Sequence, residues 1–372
     1  MATKAKRRAQ AKTESTNYRV YVGCFTEERR HGHGNGINVY SVNGKTGAWT
    51  HLQTFSDVVN PSWLLTNRDQ TVLYSLNGDQ THVRSYTIDK ATGRIAAQSQ
   101  IETGGKNAVV AQLDERERFM ILANYSSGHV TVMRMNPDGS FAERVQHLPL
   151  EGKLRPRHRV RQQESSHPHD VIWAPGKKFV VVPDKGLDRV WTFRYDAETG
   201  QVSHVDPPSV PARDGAAPRH GAFHPKLPVF WVTNEMESSL TTYRWDKKKG
   251  LLSTKDIVST LPGDFVDDTS TAEIQFHAKS NTLYISNRGL DKLTLYRVNA
   301  KTGDVKLIGW QDIYGKEPRY FGIEPGGNFL YCANARTDNI TPFRIDQKTG
   351  KLKRAGKQIE VASVVTMVFT RA

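Results

Sequence analysis

A chain of 372 residues, 37% hydrophobic and 9% aromatic, has enough apolar surface to bury a large soluble core. Its apolar runs, such as that around residues 179–182, fall far short of the roughly 18 residues that a membrane-spanning helix requires, so no span is expected. The formal charge of +14 favours anionic partners, and two cysteines, Cys24 and Cys332, are too few for a disulfide framework or a zinc cluster; two free thiols in a cytoplasmic protein are expected.

In chain order, residues 1–17 come first and hold Lys4, Lys6, Arg7, Arg8 and Lys12 without any apolar stretch. This argues against a secretory signal and predicts a plain solvated tail; a nucleic-acid partner is not expected, the basic tail being the one place that could offer such a contact. Residues 18–372 read as a single domain. An alternating run over residues 18–24 is followed by His31-Gly32-His33-Gly34-Asn35-Gly36. No strand-to-helix context surrounds those glycines, so a flexible insertion is expected rather than a phosphate cradle or a metal loop.

From Pro61 onward one pattern recurs: PSWLLTNRDQTVLYSLN, AVVAQLDERERFMILAN, PHDVIWAPGKKFVVVPD, a copy opening at Pro218, AEIQFHAKSNTLYISN and PRYFGIEPGGNFLYCAN. Each copy opens on Pro or Ala, alternates, turns, and closes on Asn or Asp 16 positions later, or 15 in the copy opening at Ala272. A third alternating run follows, as in VRSYTID, VWTFRYD and LTTYRWD, then a turn ending in glycine. Gly47, Gly93, Gly139, Gly200, Gly250, Gly303 and Gly350 mark those turns at intervals of 46 to 61 residues. Alternation broken by turns reads as antiparallel strands. Seven such four-stranded units predict an all-β, seven-bladed β-propeller. The first unit has only three strands, and residues 361–370 supply a spare one. Pairing the two chain ends in one blade closes the ring and removes its open edges.

In such a ring the first strand of each blade lines the central channel. The residue after each opener, Ser62, Val109, His169, Arg219, Glu273 and Arg319, with Ser363 as the seventh, is expected at one rim. The residue after each second strand, Gly78, Tyr125, Lys185, Glu235, Arg288 and Ala335, approaches the same rim. Ionisable groups concentrate in blades four to seven, an asymmetry that a structural repeat does not require. Arginines, a carboxylate and a histidine converging in a channel are costly unless paired or used. Guanidinium forks match carboxylate and phosphate oxygens and stabilise an oxyanion, and histidine or glutamate supplies a base. The expected partner is therefore a small anionic substrate that undergoes proton transfer or hydrolysis, held additionally by His167, Glu273, Arg319, Lys185 and Arg161.

Neither a metal nor a cofactor is expected. His167-Pro168-His169 lacks a third ligand at recognisable spacing, and neither GxSxG nor HExxH occurs. Residues 146–166 form an insertion with Arg155, Arg157, His158, Arg159 and Arg161. Without interleaved aromatics it reads as a rim loop or lid favouring anions, not as an RNA-binding patch.

Several strings carry a resemblance: NYSSGHVTV from Asn124, Arg161-Gln162, HPHDV from His167, APRHGAFHP from Ala217, TNEMESS from Thr233, YISNRG from Tyr284 and EPRYFGIEPGGNFLYCAN from Glu317. Over residues 18–369 the chain resembles the lactonase family of seven-bladed β-propellers, which includes bacterial-type 6-phosphogluconolactonase and the fungal carboxymuconate cyclase. The resemblance implies catalytic roles for His169, Arg219, Glu235 and Arg288. It implies a lactonase acting on an anionic sugar lactone, 6-phosphogluconolactone by default, in which Arg219 and Arg288 hold the anion and the oxyanion. His169 or Glu235 would activate water while the other orients it. Cycloisomerisation of a carboxymuconate-type dicarboxylate is the alternative, and a non-catalytic binding scaffold is a third reading. NAVVAQLD in blade three, Asn77-Gly78 in blade two and PDKG from Pro183 depart from the family pattern, so the substrate-facing wall is expected to differ there.

Overall fold

A computed structural model of the protein describes residues 17–156 and 162–372. The expectations for the basic tail before Asn17, and for Arg157, His158, Arg159 and Arg161, lie outside the described residues.

The strands assemble into seven antiparallel sheets around a ring. Blade five shows the unit: Pro218–Phe223, Val229–Asn234, Ser239–Asp246 and Leu251–Ser259 pair in chain order. Blade one draws on both ends of the chain. Val364–Arg371 pairs with Asn17–Cys24, from Tyr18 opposite Arg371 to Gly23 opposite Thr366, and Ile37–Asn43 and Trp49–Phe55 complete it. Among the described residues no helix is long and apolar enough to cross a membrane.

The second strands explain the most apolar stretches of the sequence. Phe119–Asn124, Phe179–Asp184 and Val229–Asn234 are buried at every position, because neighbouring blades cover both faces. Val181 and Val190 of blade four meet Phe230, Val232 and Tyr243 of blade five, and Val20 and Val22 of blade one meet Tyr331 and Ala333 of blade seven. Outer strands such as Leu251–Ser259 are only half covered and carry polar residues. The turn glycines serve the same packing. Gly200 and Gly250 have φ of +78° and +75°, and a Cβ there would lie 2.4 Å from Phe119 and from Phe179, at the start of the preceding blade's second strand. Both demands exclude a side chain.

Register corrects two sequence expectations. Thr271 pairs with Asn287 as Pro218 pairs with Asn234, so the blade-six copy opens at Thr271 and has the same length as the others. At the C-terminus Val364 pairs with Cys24, which places Val365, not Ser363, after the opener. Ser363 instead precedes it with φ +48°, matching Asn60, Asn107, Ala217 and Glu317.

The His31–Gly36 stretch, expected as a flexible insertion, is tied down on both sides. The Arg30 guanidinium forks onto Asp79, and His33 Nε2 sits 2.9 Å from Asp338 Oδ2 with Nδ1 3.0 Å from Ser363 Oγ. Cys24 and Cys332 are free and buried.

Candidate active site

Every first strand carries a register shift near the channel mouth, and these bulges build the site. In blade five Pro218 pairs with Asn234 and Gly221 with Val232, so Arg219 and His220 together oppose a single residue, Thr233. A bulge breaks the strict alternation of a strand and re-aims side chains. Arg219 consequently lines a cavity of about 260 Å³ at the mouth, and His220 lies buried beneath it. Blade four repeats this with His169 above Asp170, and blade six with Ala272 above Glu273.

The corrected register of blade six moves one predicted residue. Glu273 is the counterpart of His220, not of Arg219; its Oε2 lies 3.1 Å from His220 Nδ1, and it does not line the cavity. His167 is also displaced from its expected substrate-binding position. Its ring stacks on Tyr125 at 4.5 Å and its Nδ1 lies 2.8 Å from the Tyr125 carbonyl oxygen, so it backs the wall rather than forming it.

A repeated backbone bond holds the second ring of side chains. The N–H groups of Phe25, Gly78, Tyr125, Lys185 and Glu235 donate to the carbonyls of Ser363, Asn60, Asn107, His167 and Ala217, at 2.7 to 3.0 Å. Each of these carbonyls belongs to the residue just before an opener. The result is a rim in which Lys185, Glu235 and Arg288 stand on adjacent blades. Glu235 Oε1 lies 2.7 Å from Lys185 Nζ and 3.2 Å from Arg288 Nη2, while Oε2 lies 3.0 Å from Arg219 Nε. Further bonds set those cations. Arg219 Nη1 donates to the Ala272 carbonyl at 2.6 Å, Arg288 Nη2 to Thr271 at 3.0 Å, and Lys185 Nζ to Gln162 Oε1 at 2.5 Å.

The charge states follow from this arrangement. Burial raises the Glu235 pKa, but Lys185, Arg288 and Arg219 outweigh it and hold the carboxyl well below its usual range. Burial, reinforced by Arg219 and His220, keeps His169 well below the ordinary imidazole value, so it is neutral at pH 7. Among the described residues its Nδ1 has no hydrogen-bond partner. Burial brings Arg219 down to about 10 and, with Arg219, Arg288 and Arg30 nearby, Arg319 to about 9; both remain protonated at neutral pH. Among the described residues the lining therefore carries five cations, Arg30, Lys185, Arg219, Arg288 and Arg319, against one carboxylate.

Below the cavity, Asp170, His220 and Glu273 form a second polar layer, capped by Trp63, whose ring meets His220 edge-on at 6.0 Å. Burial pushes Asp170 up to about 7 and Glu273 up to about 8, and holds His220 well below its usual value. Burial thus favours the neutral form of both Glu273 and His220.

Of the predicted residues, His169, Arg219, Glu235, Arg288, Lys185 and Arg319 come together around one cavity. Sequence reasoning passed over Phe25, Arg30 and Gln162 as site residues, although they also line it. Phe25 was within reach, because it follows the 18–24 strand as Glu235 follows Val229–Asn234. Arg30 had no such signal. Asp170 and His220 were hidden by the bulges. Among the described residues, no cluster of three or more His, Cys, Asp or Glu side chains is placed to hold a metal ion.

Known proteins share this architecture. A 6-phosphogluconolactonase of Bacillus subtilis is 29% identical over 83% of this chain and 86% of its own length. A 6-phosphogluconolactonase of Formosa agariphila is 26% identical, over 83% and 87%. The solved periplasmic gluconolactonase of Pseudomonas aeruginosa superposes with a TM-score of 0.87 at 28% identity, covering 95% of this chain and 99% of that one. The family described as lactonase, 7-bladed β-propeller matches residues 19–369, and the chain belongs to it.

Proposed function

We propose that this protein is a sugar lactonase that hydrolyses an anionic sugar lactone, with 6-phosphogluconolactone as the leading substrate. One observation carries the reading: a neutral imidazole, His169, faces a cationic cavity whose only carboxylate among the described residues is already engaged by three cations. Both Glu235 oxygens face cations of the wall, whereas among the described residues His169 Nδ1 has no hydrogen-bond partner. Glu235 therefore orients Arg219, Arg288 and Lys185, and His169 takes the proton.

In hydrolysis the water oxygen bonds to the lactone carbonyl carbon, and the bond from that carbon to the ring oxygen breaks. The proton lost by water passes through His169 to the ring oxygen, so a hydroxy acid leaves and the imidazole is again neutral. Negative charge develops on the carbonyl oxygen in between. Arg219 and Arg288, held by Glu235 and by the Ala272 and Thr271 carbonyls, are preorganised to meet it. The names borne by the relatives, 6-phosphogluconolactonase and gluconolactonase, support a sugar lactone as the substrate class.

The test is the opening of freshly prepared 6-phosphoglucono-δ-lactone against its spontaneous rate, with carboxymuconate-type dicarboxylates assayed in parallel. Acceleration is expected in wild type and lost in Arg288→Ala, and His169→Asn is expected to lower kcat by roughly 10²- to 10⁴-fold. A wild-type protein that leaves the lactone at its spontaneous rate overturns the substrate assignment. Turnover of the dicarboxylate alone would replace it with cycloisomerisation.

A further inference from the structure

Arg319 differs from the other cations of the cavity. Lys185, Arg219 and Arg288 share Glu235, and Arg30 is neutralised by Asp79. Arg319 has no carboxylate or hydrogen-bonded oxygen on its guanidinium among the described residues. It follows the blade-seven opener, in the bulge between Pro318 and Tyr320, and its guanidinium lies 5.1 Å from the centre of the Phe25 ring.

Phe25 carries a second guanidinium, that of Arg30, at 5.5 Å from the ring centre. Asp79 takes up Nε and Nη2 of Arg30, which leaves Nη1 for another acceptor. An aromatic face attracts a cation but does not neutralise it. Two guanidiniums gathered on one ring, one of them without a counter-ion and depressed in pKa by burial and by its cationic neighbours, form a site that is electrostatically incomplete.

The two poles of the cavity also lie on different blades. Around Glu235 stand residues of blades four, five and six. On the Phe25 ring of blade one stand Arg30, also of blade one, and Arg319 of blade seven. An anion placed at the first pole must compete with Glu235 for the same donors, whereas at the second pole it meets no resident carboxylate on Arg319.

We propose that Arg319, with Arg30 held beside it on the Phe25 ring, is a subsite for the distal phosphate of the substrate, leaving the Glu235 pole to the carbonyl. This deepens the lactonase reading and rests on it for the substrate. It makes the preferred ligand a phosphorylated sugar acid or lactone, bound phosphate-first on the blade-seven side. The fork geometry of Arg319 suits phosphate oxygens, which a lysine would meet only as a point charge.

Direct binding separates this proposal from the catalytic one. Inorganic phosphate, 6-phosphogluconate and gluconate are titrated calorimetrically into wild type, Arg319→Gln and Arg319→Lys, with thermal unfolding of each variant as the check on folding. Wild type is expected to prefer 6-phosphogluconate to gluconate. Arg319→Gln should cut that preference by about ten- to a hundred-fold, and Arg319→Lys should restore only part of it. Loss of phosphate binding in Arg319→Gln, in a protein that opens no lactone, keeps the subsite and discards the lactonase reading. Lactone opening by wild type with an unchanged preference in folded Arg319→Gln does the reverse. A wild type that does not discriminate between the two sugar acids overturns the subsite.

Discussion

Lys185 Nζ lies 2.7 Å from Glu235 Oε1, and the two residues hold equivalent positions on adjacent blades, each directly after the last residue of a second strand. Arg288, at the end of the blade-six second strand, continues the series. One repeat position thus reads cation, carboxylate, cation around the mouth. The repeat supplies the spacing, and three side-chain choices turn it into an ion network.

Removing the carboxylate from that network leaves three cations without their counter-charge. Glu235→Gln is expected to cost about 3–5 kcal/mol in urea unfolding at neutral pH. Lys185→Met should cost less, because Arg219 and Arg288 remain on Glu235. The folded-state pKa of Glu235 is depressed, so its stabilisation is present above the unfolded carboxyl pKa and is lost as pH falls through the folded value. The acid limb of the stability curve should accordingly flatten in Glu235→Gln. Equal stability of the two proteins at neutral pH would contradict the network.

Glu273 predicts the opposite pH dependence. Its folded pKa is raised to about 8, so its contribution is complete below the unfolded carboxyl pKa and is lost as pH rises through about 8. Glu273→Gln, which keeps the shape, should gain stability relative to wild type between about pH 5 and pH 9. Thermal unfolding across that range measures it. A difference between the two proteins that does not change with pH would mean that Glu273 is ionised in the fold.

Ring closure can be tested at Gly23, which sits in the strand Asn17–Cys24 where blade one meets blade two. A Cβ there would lie 2.1 Å from the Pro61 carbonyl oxygen and 2.7 Å from Thr366 Cγ2. Backbone on one side and the C-terminal strand on the other leave little room to yield. Gly23→Ala is expected to destabilise the protein by about 1–3 kcal/mol or more, as overpacking does. Guanidinium unfolding provides the number, and a neutral result would show that the blade interface can open.

Strand alternation, the turn glycines and the spacing of the openers are local properties, set by a side-chain period of two and by positions that tolerate no Cβ. They suffice for seven blades, for the shared terminal blade and for most of the rim, from His169 to Arg319. Depth in the channel is not local. Whether Glu273 stands beside Arg219 or below it depends on which residue pairs with Asn287, and a bulge leaves no mark in the hydrophobic pattern. The same holds for Asp170 and His220, which strict alternation would turn away from the channel. Charge states, too, were decided by the tertiary structure alone. Glu235 is as plausible a base as His169 in sequence, and only the convergence of Lys185, Arg219 and Arg288 from three blades holds its carboxyl well below the usual range. Arg30 reaches the cavity because Asp79, on the next blade, holds it there, a contact between residues 49 positions apart that no repeat announces.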